Sequence, residues 1–297
     1  MAALIHTLFA GANQGMLWGL FALGVFISFR ILNFPDLTVE GSFTLGASVM
    51  AVFIAKTALG LVTACVLSLM IGALAGLATG LLNTKLKIPP ILAGILVMIG
   101  LYSINIRIMG GANLSLLRKD TLISFFMDKG IAYNFSIFII AILFTSIAVA
   151  ALYWFFGTEI GCAIRATGDN EKMCRAQGIN TDNTKILALM ISNALVALCG
   201  ALVAQHQANS NATMGSGSIV IGLASVIIGE AFTGQKFPFW LKLTFIVLGS
   251  VVYRLIISLV LLFNFLEASD IKLLTALIVI IALGIPHLKK PKKLKGV

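Results

Sequence analysis

Side chains that can do chemistry are scarce in this chain, and one polar segment, residues 157–182, holds many of them. Asp169 is predicted to cap a short helix, Asn170 to Gln177, by accepting hydrogen bonds from free backbone N–H groups. Gly178 then follows the helix end, where a positive φ is needed. Glu171 and Arg175 lie one turn apart and support the helix. The pattern predicts a helix that docks on a soluble partner, or else a solvated loop that holds two spans apart.

A second group of polar side chains lies within or beside long apolar runs. Polar groups are costly in lipid, so each of them needs a partner or a cavity. One interpretation places them along a solute pathway, with the group from residue 205 to residue 211 at its outer mouth. The alternative is hydrogen bonding between helices, worth about 0.6 kcal/mol each. The pathway candidates are Asn13, Asn193, Gln205, Gln207 and Asn209.

Isolated charges and ligand-type residues show no catalytic or metal-binding pattern. The three histidines are dispersed, the four cysteines form no CxxC pair, and no GxxxxGK[ST] sequence occurs. We therefore expect no catalytic residue, no metal and no cofactor on this chain. Asp36, Glu40 and Glu230 are expected to pair with loop cations. Arg254 lies in the middle of an apolar run. Either it pairs with an acid such as Glu230 or Glu267, or the span is offset from the predicted position.

The elements that must position these residues follow from composition. Of 297 residues, 59% are hydrophobic and 11% are charged, whereas an ordinary soluble domain has roughly 25% charged residues. This excludes a soluble enzyme, a disordered chain and a secreted disulfide scaffold. The sequence predicts an all-α, polytopic membrane protein that forms a single domain over residues 1–297.

Apolar runs predict about nine transmembrane helices, within a range of about eight to ten, at about 20 residues each. The second and seventh runs are short and glycine-rich, which favours broken or re-entrant helices. Residues 70–82 and 193–205 share small-residue spacing, which would suit inverted repeats. The predicted spans are 9–30, 40–55, 58–82, 89–109, 131–156, 184–206, 217–233, 237–262 and 270–287.

Lys and Arg residues indicate the orientation. If the basic tail, residues 286–297, is cytoplasmic, most of the 21 basic residues fall in cytoplasmic segments and the N-terminus lies outside. The net charge of +10 is then an orientation signal, with no case for nucleic acid. The tail anchors the last span or binds anionic membrane lipid. We expect a multi-pass protein of the bacterial plasma membrane.

The polar segment also carries a family resemblance. Gly161, Arg165 with Ala166, Asn170, Ala176 and the pair Gly178-Ile179 form a pattern that resembles the cytoplasmic coupling loop of bacterial ABC importer permeases. The resemblance is to the branched-chain amino acid permease group and extends to the first two spans and to residues 222–232. Pro35-Asp36 departs from the usual branched-chain pattern and is similar to a tryptophan/tyrosine-type subgroup.

The resemblance implies a division of labour among several chains. An extracytoplasmic binding protein would deliver an aromatic or branched-chain amino acid, and two permease copies, by default a homodimer, would form the path. Two ABC ATPase subunits would bind ATP and Mg²⁺ and drive alternating access. Nucleosides or sugars are alternative solutes, and an ion-coupled secondary transporter is the alternative mechanism. The residues implied in ATPase coupling, within 157–183, are Gly161, Arg165, Ala166, Asp169, Asn170, Glu171, Arg175, Ala176 and Gly178.

Overall fold

The structure is a computed structural model that describes residues 2–56, 60–117, 119–233 and 237–261, with isolated positions at 273, 276, 277 and 280. The ninth predicted span and the basic tail fall almost entirely outside these residues, as does Glu267. In the described part of the chain, α-helices dominate and one two-stranded sheet joins two connecting segments. The all-α, polytopic prediction is confirmed.

Eleven α-helices and two short strands make up the described residues. The helix α1 continues directly into a π-helical segment, Phe26–Ile31. The α-helices are α1 Ala2–Val25, α2 Thr38–Lys56, α3 Leu61–Thr84, α4 Pro90–Met109, α5 Leu122–Met127, α6 Tyr133–Phe156, α7 Glu159–Asp169, α8 Glu171–Ala176, α9 Thr181–Gln207, α10 Ser218–Phe232 and α11 Phe239–Leu261. The strands are β1 Asn113–Ser115 and β2 Asn209–Asn211.

Seven helices of the described chain are long and apolar enough to cross a membrane, and α10 is a shorter apolar helix. These eight elements correspond to the first eight predicted spans, so the count of about nine depends on the run at 270–287. The seventh predicted span is the short α10, 15 residues long. The second spans Thr38–Lys56, 19 residues, and is longer than its glycine-rich sequence suggested.

The spans divide into an inner and an outer set. The first span, α2 and α9 are between 72% and 78% buried within the protein, whereas α3, α4, α6 and α11 are between 22% and 39% buried. Exposed residues on the outer helices include Met70, Ile99 and Ile147. Apolar side chains on this outer surface match a lipid environment. The core is therefore the contact of α1, α2 and α9.

Glycines allow the inner helices to approach backbone to backbone. A Cβ built on Gly46 of α2 would overlap the carbonyl oxygen of Ala197 in α9, and one on Gly200 would overlap the carbonyl oxygen of Phe43. Small residues permit such close crossings in membrane helices. Gly72 and Gly76 of α3 likewise contact the backbone of α9.

Local signals fix the helix ends. α4 begins with Pro90 in its first turn and ends at Gly110, whose φ is +76°. α9 begins where the side chain of Asn180 accepts a hydrogen bond from Asn183 N, at 3.1 Å. The segment at 110–130, between the fourth and fifth predicted spans, contains β1 and α5. The strand β1 pairs antiparallel with β2, Leu114 opposite Ser210.

Candidate functional site

The polar segment predicted as a docking loop forms two consecutive helices, α7 and α8. Asn170, and not Asp169, caps α8: its Oδ1 accepts a hydrogen bond from Met173 N at 3.1 Å. The prediction for Asp169 is wrong because α7 continues through Asp169, which leaves the extended backbone of a cap to the next residue. Gly178 has a φ of +82°, as predicted.

α7 is fixed to the membrane helices by close contacts on its inner side. A Cβ on Gly161 would overlap the carbonyl oxygen of Phe155, and one on Gly168 would overlap that of Ile31. The hydroxyls of Thr167 and Thr184 lie 3.0 Å apart and join α7 to α9. These contacts involve backbone and buried side chains, and they attach α7 to the ends of the first span, α6 and α9.

Arg165 faces this packed side. Its Nη2 donates to the carbonyl oxygen of Phe156 at 2.8 Å, and its guanidinium lies 5.5 Å from the ring centroid of Phe239. The side chain thus joins α7 to the ends of α6 and α11. Ala166, the next residue, is half-buried. Of the residues predicted to take part in coupling, Arg165 therefore attaches α7 to the bundle.

A cluster of charges attaches α8 to α9. Glu171 accepts hydrogen bonds from Arg175 Nη2 at 2.8 Å, the predicted pair one turn apart, and contacts Lys185 Nζ at 2.7 Å. Arg175 also bonds to Asp182 at 3.0 Å and to Thr181 at 2.7 Å. Burial acts to raise the pKa of Glu171, but the hydrogen bond and charge of Lys185 and the charge of Arg175 hold it below its ordinary value.

The opposite side of α8 is open. Cys174 is buried beneath the helix, whereas Lys172, Met173, Ala176 and Gln177 are exposed, and Met173 exposes 50% of its surface. This exposed set, together with Asp169, Asn170 and Gly178, is named the α8 face below. It combines one apolar, flexible side chain with polar groups. Such a surface is suited to a groove on a soluble protein.

The pathway candidates are placed in different environments. Asn193 is fully buried near the middle of α9, where it donates to Asp36 Oδ2 at 2.7 Å and accepts from Ser42 Oγ at 2.6 Å. Asn13 donates to the carbonyl oxygen of Asn134 at 2.8 Å. Gln205 accepts from Leu122 N at 2.9 Å. These three residues join helices across the bundle.

The remaining two candidates lie at the end of α9. Gln207 is exposed, and Asn209 pairs with Ser115 in the small sheet. Buried atoms without a hydrogen-bond partner among the described residues are found on Asn13, Gln205 and Asn209. The predicted group at 205–211 is therefore divided: Gln205 turns inward to α5, whereas Gln207 faces outward.

The position of Asp36 was not predicted from the sequence. The turn at 32–37 returns into the bundle, and Asp36 is fully buried, with its Oδ1 accepting from Thr38 N at 2.9 Å. The expectation of a loop cation as its partner is therefore wrong. The sequence signal for an unusual placement was the pair Pro35-Asp36, which departs from the usual branched-chain pattern. This pair lies just before the start of α2.

The structure also identifies the partners of two other charged residues, Glu230 and Arg254. Glu230 pairs with Arg30, whose Nε donates to Oε1 at 2.8 Å and to Oε2 at 2.9 Å. The cation expected for Glu230 is therefore the arginine at the end of the first span. Arg254 therefore does not pair with Glu230. Its guanidinium lies 4.3 Å from the ring centroid of Trp18, a cation–π contact.

No group of three or more His, Cys, Asp or Glu residues that could hold a metal ion occurs among the described residues. The cysteines at 65, 162, 174 and 199 are free thiols, as expected. The described residues therefore offer packed helices joined by buried polar bonds and an exposed α8 face.

Comparison with known proteins agrees with this arrangement. Residues 7–284 match the family described as "Branched-chain amino acid transport system / permease component". The chain is 39% identical over 276 residues to a tyrosine transport system permease protein of Clostridioides difficile, covering 93% of this chain and 90% of that protein. It is 31% identical over 227 residues to the uncharacterized protein RP368 of Rickettsia prowazekii, covering 76% and 78%.

A more distant similarity covers part of the chain. The autoinducer 2 import system permease protein LsrC of Yersinia pseudotuberculosis is 31% identical over 172 residues, covering 57% of this chain and 47% of that protein. No solved structure matches the chain significantly.

Proposed function

Because the chain belongs to the family of branched-chain amino acid transport permease components, we propose that it is the membrane-spanning subunit of an ABC importer for an amino acid. An aromatic amino acid is favoured, since a relative 39% identical over 93% of the chain is described as a tyrosine transport permease. The multi-pass helical fold suits this role. The chain itself carries the path, and its partner ATPase binds ATP and Mg²⁺.

The α8 face is the observation that supports this function most directly. The helices that present it are bonded to the neighbouring spans: α7 to α6 through Arg165, and α8 to α9 through Glu171. A partner that moves α7 and α8 would therefore move the spans to which they are bonded. Rigid-body movement of this kind can open the path to each side of the membrane in turn.

The orientation and assembly follow from the same proposal. The α8 face contacts the ATPase in the cytoplasm, which places the N-terminus outside and, with nine spans, the C-terminal tail inside. Two copies of the permease form the path between them, and an extracytoplasmic binding protein delivers the solute. We expect residues 1–297 to act as one domain in the bacterial plasma membrane.

Co-purification tests the proposal. The tagged permease is expressed together with the products of its neighbouring genes and reconstituted in nanodiscs. ATP hydrolysis is then assayed with tyrosine, tryptophan, leucine, a nucleoside and a sugar. We expect an ATPase to co-purify and one amino acid to stimulate hydrolysis. Recovery of the permease without any ATPase would overturn the proposal, and stimulation by the nucleoside or sugar alone would overturn the amino acid assignment.

One observation favours a second candidate, the ion-coupled secondary transporter. Asp36 is a buried carboxylate beside the break between the first span and α2, where coupling ions bind in such transporters. Its two oxygens are already engaged by Thr38 and Asn193, which gives the carboxylate a structural role. Uptake driven by an ion gradient in liposomes that lack ATP would favour this candidate, whereas uptake that requires ATP would exclude it.

A further inference from the structure

A groove lies on the outer surface of the protein, between α6 and α11. It consists of two adjoining cavities, and Tyr153 lines both of them. The first cavity, of about 540 Å³, lies at the end of α6 and is also lined by Arg165 of α7 and by Phe239 at the start of α11. The second, of about 330 Å³, continues along α6 and α11 and reaches Met16 of α1. The two cavities together are named the α6–α11 groove below.

The first cavity contains a cation that has no acidic partner among the described residues. The hydrogen bonds of Arg165 to described residues both come from Nη2, to the carbonyl oxygen of Phe156 at 2.8 Å and to Cys162 Sγ at 3.2 Å. No described Asp or Glu forms an ion pair with it, and none lines the cavity. A guanidinium has five N–H donors, so those on Nε and Nη1 can bind a phosphate group, whose oxygens match their planar geometry.

Aromatic side chains place this end of the groove at the membrane–water interface. Tyr153 and Trp154 near the end of α6 are exposed, and so is Trp240 at the start of α11. Tyrosine and tryptophan are enriched at the interface, where the lipid headgroups lie. Arg165 therefore lies at the depth of a lipid phosphate.

The second cavity has the properties of an acyl-chain site. Its described lining includes no charged residue, and Val149, Val247 and Leu248 supply apolar surface. From Gly157 to Thr145 the groove follows α6 for about 18 Å, at a rise of 1.5 Å per residue. Half of the hydrocarbon core of a bilayer measures about 15 Å. The groove is therefore long enough for an acyl chain of one leaflet.

We propose that the α6–α11 groove binds one anionic phospholipid, with its phosphate at Arg165 and an acyl chain along α6 and α11. The inference takes one premise from the proposed function, namely that the end of α6 next to α7 is cytoplasmic. Basic pockets between membrane helices on that side bind anionic headgroups. The bound lipid contacts α6, α7 and α11 together, and so adds a contact between the coupling segment and two of the spans.

Charge favours a lipid over the C-terminal segment of the chain as the occupant of this groove. Residues 286–297 contain five lysines, which have the same sign as Arg165 and are repelled by it. A phosphate group has the opposite sign. A second copy of the chain is the other occupant that the first test examines.

Fluorescence quenching by brominated lipids provides the first test. The chain has three tryptophans, of which Trp154 and Trp240 line the groove and Trp18 is buried. The full-length permease is placed in phosphatidylcholine nanodiscs, and a rising fraction of the lipid is replaced by dibrominated phosphatidylglycerol or by dibrominated phosphatidylcholine. We expect a relative affinity about fivefold higher for phosphatidylglycerol, the effect of one cation beside an anionic headgroup.

Two results of this assay would overturn the inference. Equal quenching by the two lipids would show that the groove does not select an anionic headgroup. Quenching by neither lipid would show that a second copy or the C-terminal segment covers the groove. Glycerol phosphate added to the buffer should not reverse the quenching, because it lacks acyl chains, and full reversal would also contradict a lipid site.

Replacing Arg165 provides the second test. Arg165→Gln removes the charge and should abolish the preference for phosphatidylglycerol, whereas Arg165→Lys keeps the charge and should retain part of the preference. Lys85→Gln is the matched control, because it removes an exposed cation at the end of α3. It should leave the preference as in the wild type. A wild-type preference in Arg165→Gln would overturn the inference.

Ala150→Phe tests the acyl-chain half without altering Arg165. Ala150 is exposed and lines the second cavity, so the added ring fills the cavity while the fold remains. We expect the affinity for phosphatidylglycerol to fall several-fold. Ala78→Phe adds the same ring at an exposed position of α3 and is the matched control. Wild-type affinity in Ala150→Phe would contradict the placement of the acyl chain.

The failure of this inference can be told apart from the failure of the proposed function, because the quenching assay contains no solute, ATP or ATPase. If an ATPase co-purifies but the wild-type permease shows no preference for phosphatidylglycerol, the permease assignment stands and the lipid site fails. If no ATPase co-purifies while the preference is present and is lost in Arg165→Gln, the proposed function fails. The lipid site then stands, without its assignment to the cytoplasmic leaflet.

Discussion

The carboxylate of Asp36 accepts a hydrogen bond from the side-chain amide of Asn193, with 2.7 Å between Oδ2 and Nδ2, although the residues are 157 positions apart. Both side chains are fully buried. This bond fixes the start of α2 against the middle of α9. The turn at 32–37, which joins the first span to α2, therefore lies in the bundle interior.

Loss of that bond should destabilise the protein. Replacing Asn193 by Leu leaves the buried Asp36 without the donor to its Oδ2, and leaving a buried polar group without its partner costs about 1–3 kcal/mol. We expect a lower unfolding temperature for the detergent-purified protein, measured by tryptophan fluorescence. The double variant with Asp36→Asn, which removes the charge, should lose less. An Asn193→Leu protein as stable as the wild type would contradict this role.

The contact of α2 with α9 should be intolerant of added volume. Gly46→Val or Gly200→Val inserts side-chain atoms where the facing helix has a carbonyl oxygen, and overpacking of this kind typically costs about 1–3 kcal/mol or more. We expect a reduced yield and a lower unfolding temperature. Gly100→Val is the matched control, because a Cβ there meets no atom within 4 Å. Equal effects at all three positions would contradict the packing argument.

The end of α8 should depend on the backbone of Gly178. Its φ of +82° is unfavourable for Val, at a cost of about 1–2 kcal/mol, so Gly178→Val should displace the α8 face and lower ATPase co-purification and uptake. Gly130→Val introduces the same strain, at a φ of +83°, in a segment remote from α8. Loss of ATPase binding in both variants would show a general folding defect instead.

Arg165 should be needed to transmit movement from the α8 face. Arg165→Glu removes the bond to Phe156 and the contact with Phe239, and it places a negative charge near a carbonyl oxygen. We expect ATP hydrolysis to continue while solute uptake falls at least several-fold, with the protein still in the membrane. Met173→Ala, on the exposed side, tests docking separately. Full assembly and uptake by Arg165→Glu would refute the coupling role.

Acid should weaken the attachment of α8 through Glu171. Its pKa is below the ordinary value, so its ion pairs stabilise the fold fully above the unfolded-state pKa, about 4.3. This stabilisation is lost as the pH falls through the lower, folded-state pKa. The side chains are partly exposed, so we expect a difference below about 1 kcal/mol. The gap in unfolding temperature between wild type and Glu171→Gln should be constant from pH 7 to 5 and close below pH 4.

The sequence by itself determined the class of protein and the approximate positions of its helices. With 59% hydrophobic and 11% charged residues, the chain can only satisfy its backbone in lipid by forming helices. Local chemistry also predicted the helix after residue 170, the pair of Glu171 with Arg175 and the positive φ of Gly178, because each depends on residues within one or two turns.

Only the tertiary structure decided which distant residues meet. Asp169 and Asn170 have equivalent capping chemistry, and the length of α7 selected Asn170. Arg30 and Glu230 pair although they are 200 positions apart. Asp36, expected to pair with a loop cation, instead accepts a hydrogen bond from Asn193. Apolar runs specify that helices form. The side on which each helix packs depends on close backbone contacts between distant segments, such as Gly46 against Ala197. No local sequence pattern encodes these contacts.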